Sequence, residues 1–419
     1  TLGERAAVAG KGFNEDPSKN VMIPAFARVR HSALLERAEK IARFFETFEA
    51  TKWEKADTEV GVITTSIAYG YVKEVLPDAS VLKLAGSYPL PEQTIRDIAA
   101  SVGRLIVVEE LEPVIEEQLK IWGIEVEGKA YFSRLGELSP ELVRDGFIRA
   151  GVLPKEAGVP DVFEIEPTLR PPVLCPGCPH TSSYLALRQI DARVAGDIGC
   201  YTLAAVAPLQ AIDTCVSMGS SIANAIGMAK SGAETRPIVA TIGDSTFLHA
   251  GIPPLIDAVY NNADITIMLL DNHTVAMTGG QDHAGTGKTL RGEDTRRVDF
   301  EDICRAVGVQ WVRTVDSYDL GAVHKALREA MDFKGVSVVI SDRPCVIDPV
   351  KIKGQTMTVI AENCTACQSC MNIGCPSISW SDEWFDGRHK VKIDPNTCIG
   401  CALCPQVCPS DSIQPLNRA

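Results

Sequence analysis

Short apolar runs alternate with helical patterns through the first third of the chain. β-Branched and apolar runs predict strands, and apolar positions at helical spacing predict the helices between them. The predicted elements are strands at 60–65, 81–84 and 104–109, and helices at 68–76 and 92–101. Strands that alternate with helices are typical of a parallel sheet, so we expect a small α/β domain over residues 55–152.

A separate helical pattern precedes this domain. Apolar residues at helical spacing predict a helix over residues 32–49, with no strand beside it. We interpret residues 1–54 as a linker and helix that follow an upstream domain.

A second α/β pattern follows a proline-rich connector at residues 154–172. The pattern predicts a strand at 237–243, a helix at 248–261 and a strand at 265–272. Both strands end in polar residues, and ligands of open parallel sheets bind at the carboxyl ends of strands. We therefore predict a second α/β domain over residues 170–350, with a ligand site at that edge.

The composition limits the partners. The net charge is −13, and 45% of the residues are hydrophobic, which is enough for each domain to bury a core. A strongly acidic chain is a poor partner for nucleic acid or an anionic membrane surface. The sequence has no apolar run near the ~20 residues of a membrane span. Residues 1–5 also lack the charged-then-apolar pattern of a signal peptide.

Eight of the fourteen cysteines form two similar runs near the end of the chain. The second run is Cys-x2-Cys-x2-Cys-x3-Cys-Pro, the spacing of bacterial ferredoxins that hold two [4Fe–4S] clusters. Structural zinc and disulfides are the alternatives, but zinc usually takes two separated pairs of ligands. Disulfides need an oxidising compartment. We expect an α+β two-cluster ferredoxin-like domain over residues 356–419, in a reducing, cytoplasmic setting.

The two runs are expected to exchange their last ligand. In the ferredoxin pattern the fourth cysteine of each run binds the other cluster. The first run has one additional residue before its last cysteine, which suggests a longer turn rather than a lost ligand. The expected ligands are Cys364, Cys367, Cys370 and Cys408 for one cluster, and Cys398, Cys401, Cys404 and Cys375 for the other.

The polar strand ends of the second domain indicate a metal. Asp244 stands between Gly243 and Ser245, and Asn272 follows after 26 further residues. Carboxylate and amide oxygens suit Mg²⁺, and a glycine lets the backbone approach a diphosphate. An aspartate after a strand is also often a helix cap, and that alternative stays open.

This spacing resembles the thiamine-diphosphate motif, in which GDG is followed at a similar interval by an asparagine. Residues 175–180 (Cys-Pro-Gly-Cys-Pro-His), 218–227 and 278–281 are similar to segments of the 2-oxoacid:ferredoxin oxidoreductases. The resemblance implies that Asp244, Asn272 and the carbonyl of Thr274 bind Mg²⁺. Ser245 replaces the usual second glycine of the motif. The other residues implied to bind the cofactor are Gly243, Ser245, Met218, Gly219, Thr278 and Gly279.

Four further cysteines match the same family. The positions that hold a third, proximal [4Fe–4S] cluster there correspond to Cys175, Cys178, Cys200 and Cys345. Free cysteines are often buried small hydrophobes, which is the alternative interpretation. Cys215 and Cys304 have no matching role. His180 either reaches the cofactor or is structural.

The whole chain resembles the alpha-type subunits of indolepyruvate ferredoxin oxidoreductases without their N-terminal pyrimidine-binding domain. The resemblance implies a transketolase C-terminal-like first domain and a thiamine-binding second domain. It also implies oxidative decarboxylation of a 2-oxo acid, such as an arylpyruvate, to acyl-CoA, with coenzyme A as co-substrate and ferredoxin as electron acceptor. The expected partners are a beta-type subunit and a polypeptide or upstream segment that carries the thiamine-activating glutamate.

Two other functions stay open. The chain could transfer electrons in a larger complex without thiamine chemistry of its own, although Asp244 and Asn272 are intact. It could also be a non-oxidative thiamine decarboxylase with a fused ferredoxin domain, which would not need a proximal cluster.

Overall fold

The computed structural model of the chain describes residues 10, 12–56, 59–155, 171–347 and 354–416. The chain divides into two units, Thr1–Pro167 and Thr168–Ala419. The first residues of the predicted linker and most of the predicted connector lie outside the described residues.

The first unit is built around a four-stranded sheet. Its strands are β1 (Lys52–Glu54), β2 (Val60–Thr65), β3 (Ser80–Leu84) and β4 (Arg104–Val108). Its helices are α1 (Pro17–Asn20), α2 (Pro24–Thr47), α3 (Ala68–Val75), α4 (Glu92–Ser101), α5 (Val114–Ile121) and α6 (Pro140–Arg149). The sheet order is β1-β3-β2-β4, and all pairs are parallel except β1 with β3. The predicted strands and helices of this domain are confirmed to within one residue.

The sheet of the first unit begins before residue 55, inside the segment that was predicted to be a linker. Helix α2 begins eight residues before the predicted start of 32, and β1, which was expected to be linker, forms the antiparallel edge of the sheet. The Glu46 carboxylate accepts the backbone N–H groups of Gln93 and Thr94, both at 2.9 Å, at the start of α4. The end of α2 is therefore part of the first unit. A three-residue edge strand is too short to show a period.

The second unit contains a six-stranded parallel sheet. Its strands are β5 (Arg193–Gly196), β6 (Thr214–Cys215), β7 (Ile238–Gly243), β8 (Ile265–Asp271), β9 (Trp311–Asp316) and β10 (Val336–Asp342). Its helices are α7 (His180–Ile190), α8 (Ser221–Ser231), α9 (Asp244–Thr246), α10 (Ile252–Tyr260), α11 (Phe300–Ala306) and α12 (Leu320–Asp332). The order is β6-β5-β7-β8-β10-β9. Every residue of the central strands β7 and β8 is buried because helices cover both faces, as in other parallel sheets.

The two predicted central strands are confirmed, and the helix between them differs in detail. The chain turns into α9 directly after β7, passes through a π-helical turn at Phe247–Gly251, and continues as α10. The helix therefore begins at Asp244 rather than at 248.

The end of the chain is a small α+β part of the second unit. It holds β11 (Met357–Val359), β12 (Ile378–Phe385), β13 (Arg388–Ile393), α13 (Leu403–Gln406) and β14 (Ile413–Pro415). Strand β11 pairs with β14 and β12 with β13, both antiparallel. Ile378 and Ile413 share one apolar core with Leu187 of α7 and Leu327 of α12. In the part of the chain that the structure describes, no helix is long and apolar enough to cross a membrane.

Candidate functional site

A cavity of about 140 Å³ opens where β7 and β8 end. The two strands are parallel neighbours, with Gly243 paired to Leu270, so the residues that follow them meet at one edge of the sheet. The predicted residues among its lining are His180, Cys200, Met218, Gly243, Asp244, Ser245, Asn272, Thr274 and Thr278.

Three oxygen-bearing groups converge at this edge. One atom of the Asn272 side-chain amide lies 2.9 Å from the Thr274 carbonyl oxygen and 3.3 Å from Oδ2 of Asp244. His273 lies between the predicted ligands Asn272 and Thr274 and has a φ of 61°, in the left-handed region. Without a cation the amide N–H₂ donates to both oxygens; a bound cation favours the opposite orientation, in which three oxygens face one point.

This donor set fits Mg²⁺. Octahedral Mg²⁺ with ligands at about 2.0–2.1 Å separates adjacent ligand oxygens by roughly 2.9 Å. The spacings around Asn272 are close to that value, and Asp244, Asn272 and Thr274 all line the cavity. Carboxylate, amide and carbonyl oxygens are also the ligands that this hard cation prefers.

The two buried carboxylates at this edge, Asp244 and Asp271, have pKa values that are shifted in opposite directions. Burial alone would raise the pKa of Asp244, but the imidazole of His283, 3.1 Å from Oδ2, and the Ser245 N–H hold that pKa below its ordinary value. Burial, and then the charge of Asp244, raise the pKa of neighbouring Asp271 to about 7. The site therefore keeps a negative charge on Asp244, the predicted metal ligand.

Helix capping is the role of a different aspartate. Asp244 is the first residue of α9, not the residue before it. Asp197, fully buried at the end of β5, accepts the N–H groups of Gly219 (2.7 Å) and Ser221 (3.0 Å) at the start of α8. Asp197 thereby holds the loop that brings Met218 to the cavity. No sequence motif indicated Asp197, although it lies three residues before the predicted cluster ligand Cys200.

Two of the predicted cofactor glycines are not among the residues that line the cavity. Gly219 has a φ of 87°, and a Cβ there would lie 2.5 Å from Cβ of Ala250. Gly279 has a φ of 116° and ends the short 3-10 turn Ala276–Thr278, which does line the cavity. Both glycines shape loops that present neighbouring side chains.

Tyr201 is a cavity residue that sequence analysis did not single out. Its hydroxyl donates to the Ile198 carbonyl and accepts the Gly243 N–H, both at 3.0 Å. Its ring packs edge-on against His180, with centroids 5.5 Å apart. Burial lowers the pKa of His180 to about 4, so this imidazole is neutral at pH 7. The adjacent Cys200 was the only sequence signal for Tyr201.

The four cysteines predicted for a proximal cluster come together beside this cavity. Burial, and then the nearby Cys345 thiol, raise the pKa values of Cys175 and Cys200. Burial, and then the thiols of these three cysteines, also raise the pKa of Cys178. Cys200 also lines the cavity. The Cys345 N–H donates to the Asn272 carbonyl at 3.0 Å, so one hydrogen bond joins the predicted Mg²⁺ loop to this cysteine group.

The tail cysteines form two groups with the fourth cysteine of each run exchanged. Cys404 interacts electrostatically with Cys401, Cys375 and Cys398. Cys370 interacts with Cys367, Cys408 and Cys364. Burial raises the pKa of Cys370 to about 11, so a bound metal would be needed to favour its thiolate.

The additional residue of the first run lies in a tight turn. Residues Ser369–Ile373 form a 3-10 helix that Gly374 ends with a φ of 69°. A Cβ at Gly374 would lie 2.9 Å from Cδ of Pro208, so the turn packs closely on the segment between β5 and β6. Cys375 still reaches the group of Cys398, Cys401 and Cys404.

One tail group lies next to the Cys-Pro-Gly-Cys turn. A small cavity bounded by Cys375, Cys398 and Cys401 is also lined by Pro176 and Gly177. In the other group Cys367 is exposed. Neither Cys215, half-buried, nor Cys304, fully buried in the helical layer, belongs to any of the three groups.

Comparison with known proteins places these features in a family. Residues 197–341 match the model "Thiamine pyrophosphate enzyme, C-terminal TPP binding domain". The chain is 40% identical to the indolepyruvate oxidoreductase subunit IorA of Archaeoglobus fulgidus over 96% of this chain and 67% of that protein. Other curated IorA proteins are 36–37% identical.

Two partial similarities are weaker. Ferredoxin-1 of Caulobacter vibrioides is 34% identical over 50 residues, which is 12% of this chain and 44% of that protein. The 2-oxoglutarate:ferredoxin oxidoreductase structure from Magnetococcus marinus matches 44% of this chain and 69% of that chain, at 17% identity and a TM-score of 0.38.

Proposed function

Because the chain belongs to the family of indolepyruvate oxidoreductase IorA subunits, we propose that it carries out thiamine diphosphate-dependent oxidative decarboxylation of a 2-oxo acid. We propose an arylpyruvate such as indolepyruvate as the substrate and acyl-CoA as the product. Electrons leave through three [4Fe–4S] clusters to ferredoxin. The observation that carries the proposal is that one cavity is lined both by the convergent oxygens of Asp244, Asn272 and Thr274 and by Cys200.

The chain's own residues prepare the cavity for this chemistry. Asp244, Asn272 and the Thr274 carbonyl would hold Mg²⁺, and Gly243 and Ser245 would face the diphosphate. Bound thiamine diphosphate supplies a carbanion and an electron sink for loss of CO₂. His180 stays neutral because it is buried, so at the cavity wall it can accept or donate a hydrogen bond.

The cysteine groups define the proposed route for electrons. Cys175, Cys178, Cys200 and Cys345 would hold the cluster nearest the cavity. The group of Cys375, Cys398, Cys401 and Cys404 would hold the next cluster, because Pro176 and Gly177 also line its cavity. The group with the exposed Cys367 would be the last, where an external ferredoxin can approach.

The proposed enzyme is a complex. The chain spans 67–70% of the length of its IorA relatives, and the thiamine-activating glutamate is expected outside it. We propose that a beta-type subunit and a segment with the pyrimidine-binding domain complete the site.

Metal and cofactor analysis of the purified complex tests the proposal. We expect about twelve irons for each copy of this chain and one thiamine diphosphate released on denaturation. Reduction of ferredoxin by indolepyruvate should require coenzyme A. About eight irons with bound thiamine would indicate a non-oxidative decarboxylase. Twelve irons without thiamine would indicate an electron-transfer subunit.

A further inference from the structure

Tyr318 connects two of the cysteine groups. It lies between β9 and α12, and its hydroxyl donates to the Gly177 carbonyl at 2.5 Å, within the Cys-Pro-Gly-Cys turn. Its own carbonyl accepts Nε2 of Gln406 at 2.7 Å, in α13 of the tail. One residue therefore holds both the turn of the proposed proximal cluster and the tail.

The two cysteine loops touch beside this residue. Gly177 has a φ of 70°, and a Cβ there would lie 2.2 Å from Cδ1 of Ile399 and 3.3 Å from Cβ of Cys401. Tyr318 itself interacts electrostatically with both Cys178 and Cys401, and burial raises the pKa of its hydroxyl, which keeps it protonated as a donor. The hydroxyl bond to Gly177 and the carbonyl bond to Gln406 together hold the two loops at this separation.

Arg343 adds a positive charge at the same place. Its guanidinium carbon lies 4.2 Å from the centroid of the Tyr318 ring, within the range of cation–π contact. Nη1 donates to Oδ2 of Asp316 at 2.7 Å. The Arg343 side chain is 28% exposed and that of Asp316 is 50% exposed, so water screens the carboxylate more than the guanidinium. Nε of Arg343 is buried and has no hydrogen-bond partner among the described residues. Arg343 also precedes Cys345 by two residues.

We propose that Tyr318 and Arg343 are positioning residues for electron transfer: Tyr318 holds the two cysteine loops together, and Arg343 raises the reduction potential of the cluster bound by the Cys175, Cys178, Cys200 and Cys345 group. A reduced cluster carries one more negative charge than an oxidised one, so a fixed nearby cation favours reduction. This inference rests on the proposed function, because it requires the proximal cluster.

The test is a redox titration of the complex, purified without oxygen and followed by electron paramagnetic resonance. In R343Q we expect the equilibrium constant for reduction of one cluster to fall at least threefold. At 59 mV per tenfold change in that constant, the midpoint potential falls by about 28 mV or more. R343K keeps the charge, so its midpoint potential should fall by no more than half of the R343Q shift. The control is R313Q, since Arg313 also stacks on an aromatic ring, Trp311, and pairs with an acid, Glu329. R313Q should leave all midpoints unchanged.

Tyr318 variants separate charge from packing. Y318F keeps the ring under Arg343 and should keep the wild-type midpoint, but it loses the bond to the Gly177 carbonyl and should slow reduction of the tail clusters. Tail clusters that are reduced at the wild-type rate in Y318F would overturn the role of the hydroxyl. Y318L removes the ring as well and should reproduce part of the R343Q shift. An equal shift in Y318F and R343Q, or no shift in R343Q with full iron content, overturns the inference. If R343Q loses iron, Y318L decides, and an unchanged midpoint there overturns the inference as well. About eight irons per chain in the wild-type complex would instead refute the proposed function.

Discussion

The contact between Gly177 and the tail can be tested by adding one methyl group. In G177A, the new Cβ would lie 2.2 Å from Cδ1 of Ile399, far inside the 3.5–4.0 Å that is optimal for two carbons. The alanine must also adopt a φ of 70°, in the left-handed region. Two separate costs therefore add at this position.

The two costs can be sized and separated. An alanine in the left-handed region costs roughly 1–2 kcal/mol, and overpacking a close contact typically costs a further ~1–3 kcal/mol. Gly232, in the same unit, has a φ of 66° and nothing within 4 Å of an added Cβ. G232A therefore carries the backbone cost alone and serves as the matched control.

Thermal unfolding at a fixed heating rate measures the difference. At about 2–4 °C per kcal/mol for 150–250 residues, G177A should unfold about 2–12 °C below G232A. The double variant G177A/I399A should be more stable than the sum of the single variants predicts, since the clashing side chain is gone. Equal shifts in the two glycine variants, together with additive effects in the double variant, would refute the contact between the Cys-Pro-Gly-Cys turn and the tail.

Three further predictions concern the metal site, the cysteines and pH. D244N should weaken Mg²⁺-dependent thiamine diphosphate binding by more than the roughly 10- to 100-fold typical of residues that only support a metal ligand; calorimetric titration measures it, and D264N, at the exposed far end of β8, should bind normally. C345A should lose about four irons per chain, whereas C304A should keep all of its iron and only lose stability, because Cys304 is fully buried among apolar residues; equal iron loss in both would contradict the grouping. Burial raises the pKa of Glu109, whose carboxylate accepts the Ile115 and Glu116 N–H groups. The contribution of Glu109 to stability is therefore complete below the ordinary pKa of glutamate and declines as pH rises through the raised pKa. Urea midpoints of wild type and E109Q should therefore shift relative to each other between pH 4 and 7, and a constant difference would count against this.

The sequence by itself predicted the central elements of both α/β domains and the residues of each proposed site. Period and β-branched runs placed five elements of the first domain within one residue, because those segments are half or fully buried and show it in their patterns. Cysteine spacing predicted the exchange of Cys375 and Cys408 between the two tail groups. Motif spacing singled out Asp244 and Asn272, since residues after adjacent parallel strands must meet.

Only the tertiary structure decided which residues contact one another over long separations. Three hydrogen bonds join segments that no local pattern relates. They link Tyr318 to Gly177, His283 to Asp244, and the Cys345 N–H to the Asn272 carbonyl. The edge strand β1 and the π-helical turn after Asp244 also left no periodic signal, because each is shorter than the window that defines a period. The physical reason is common to all of them: local preference selects an element, whereas packing selects its neighbours.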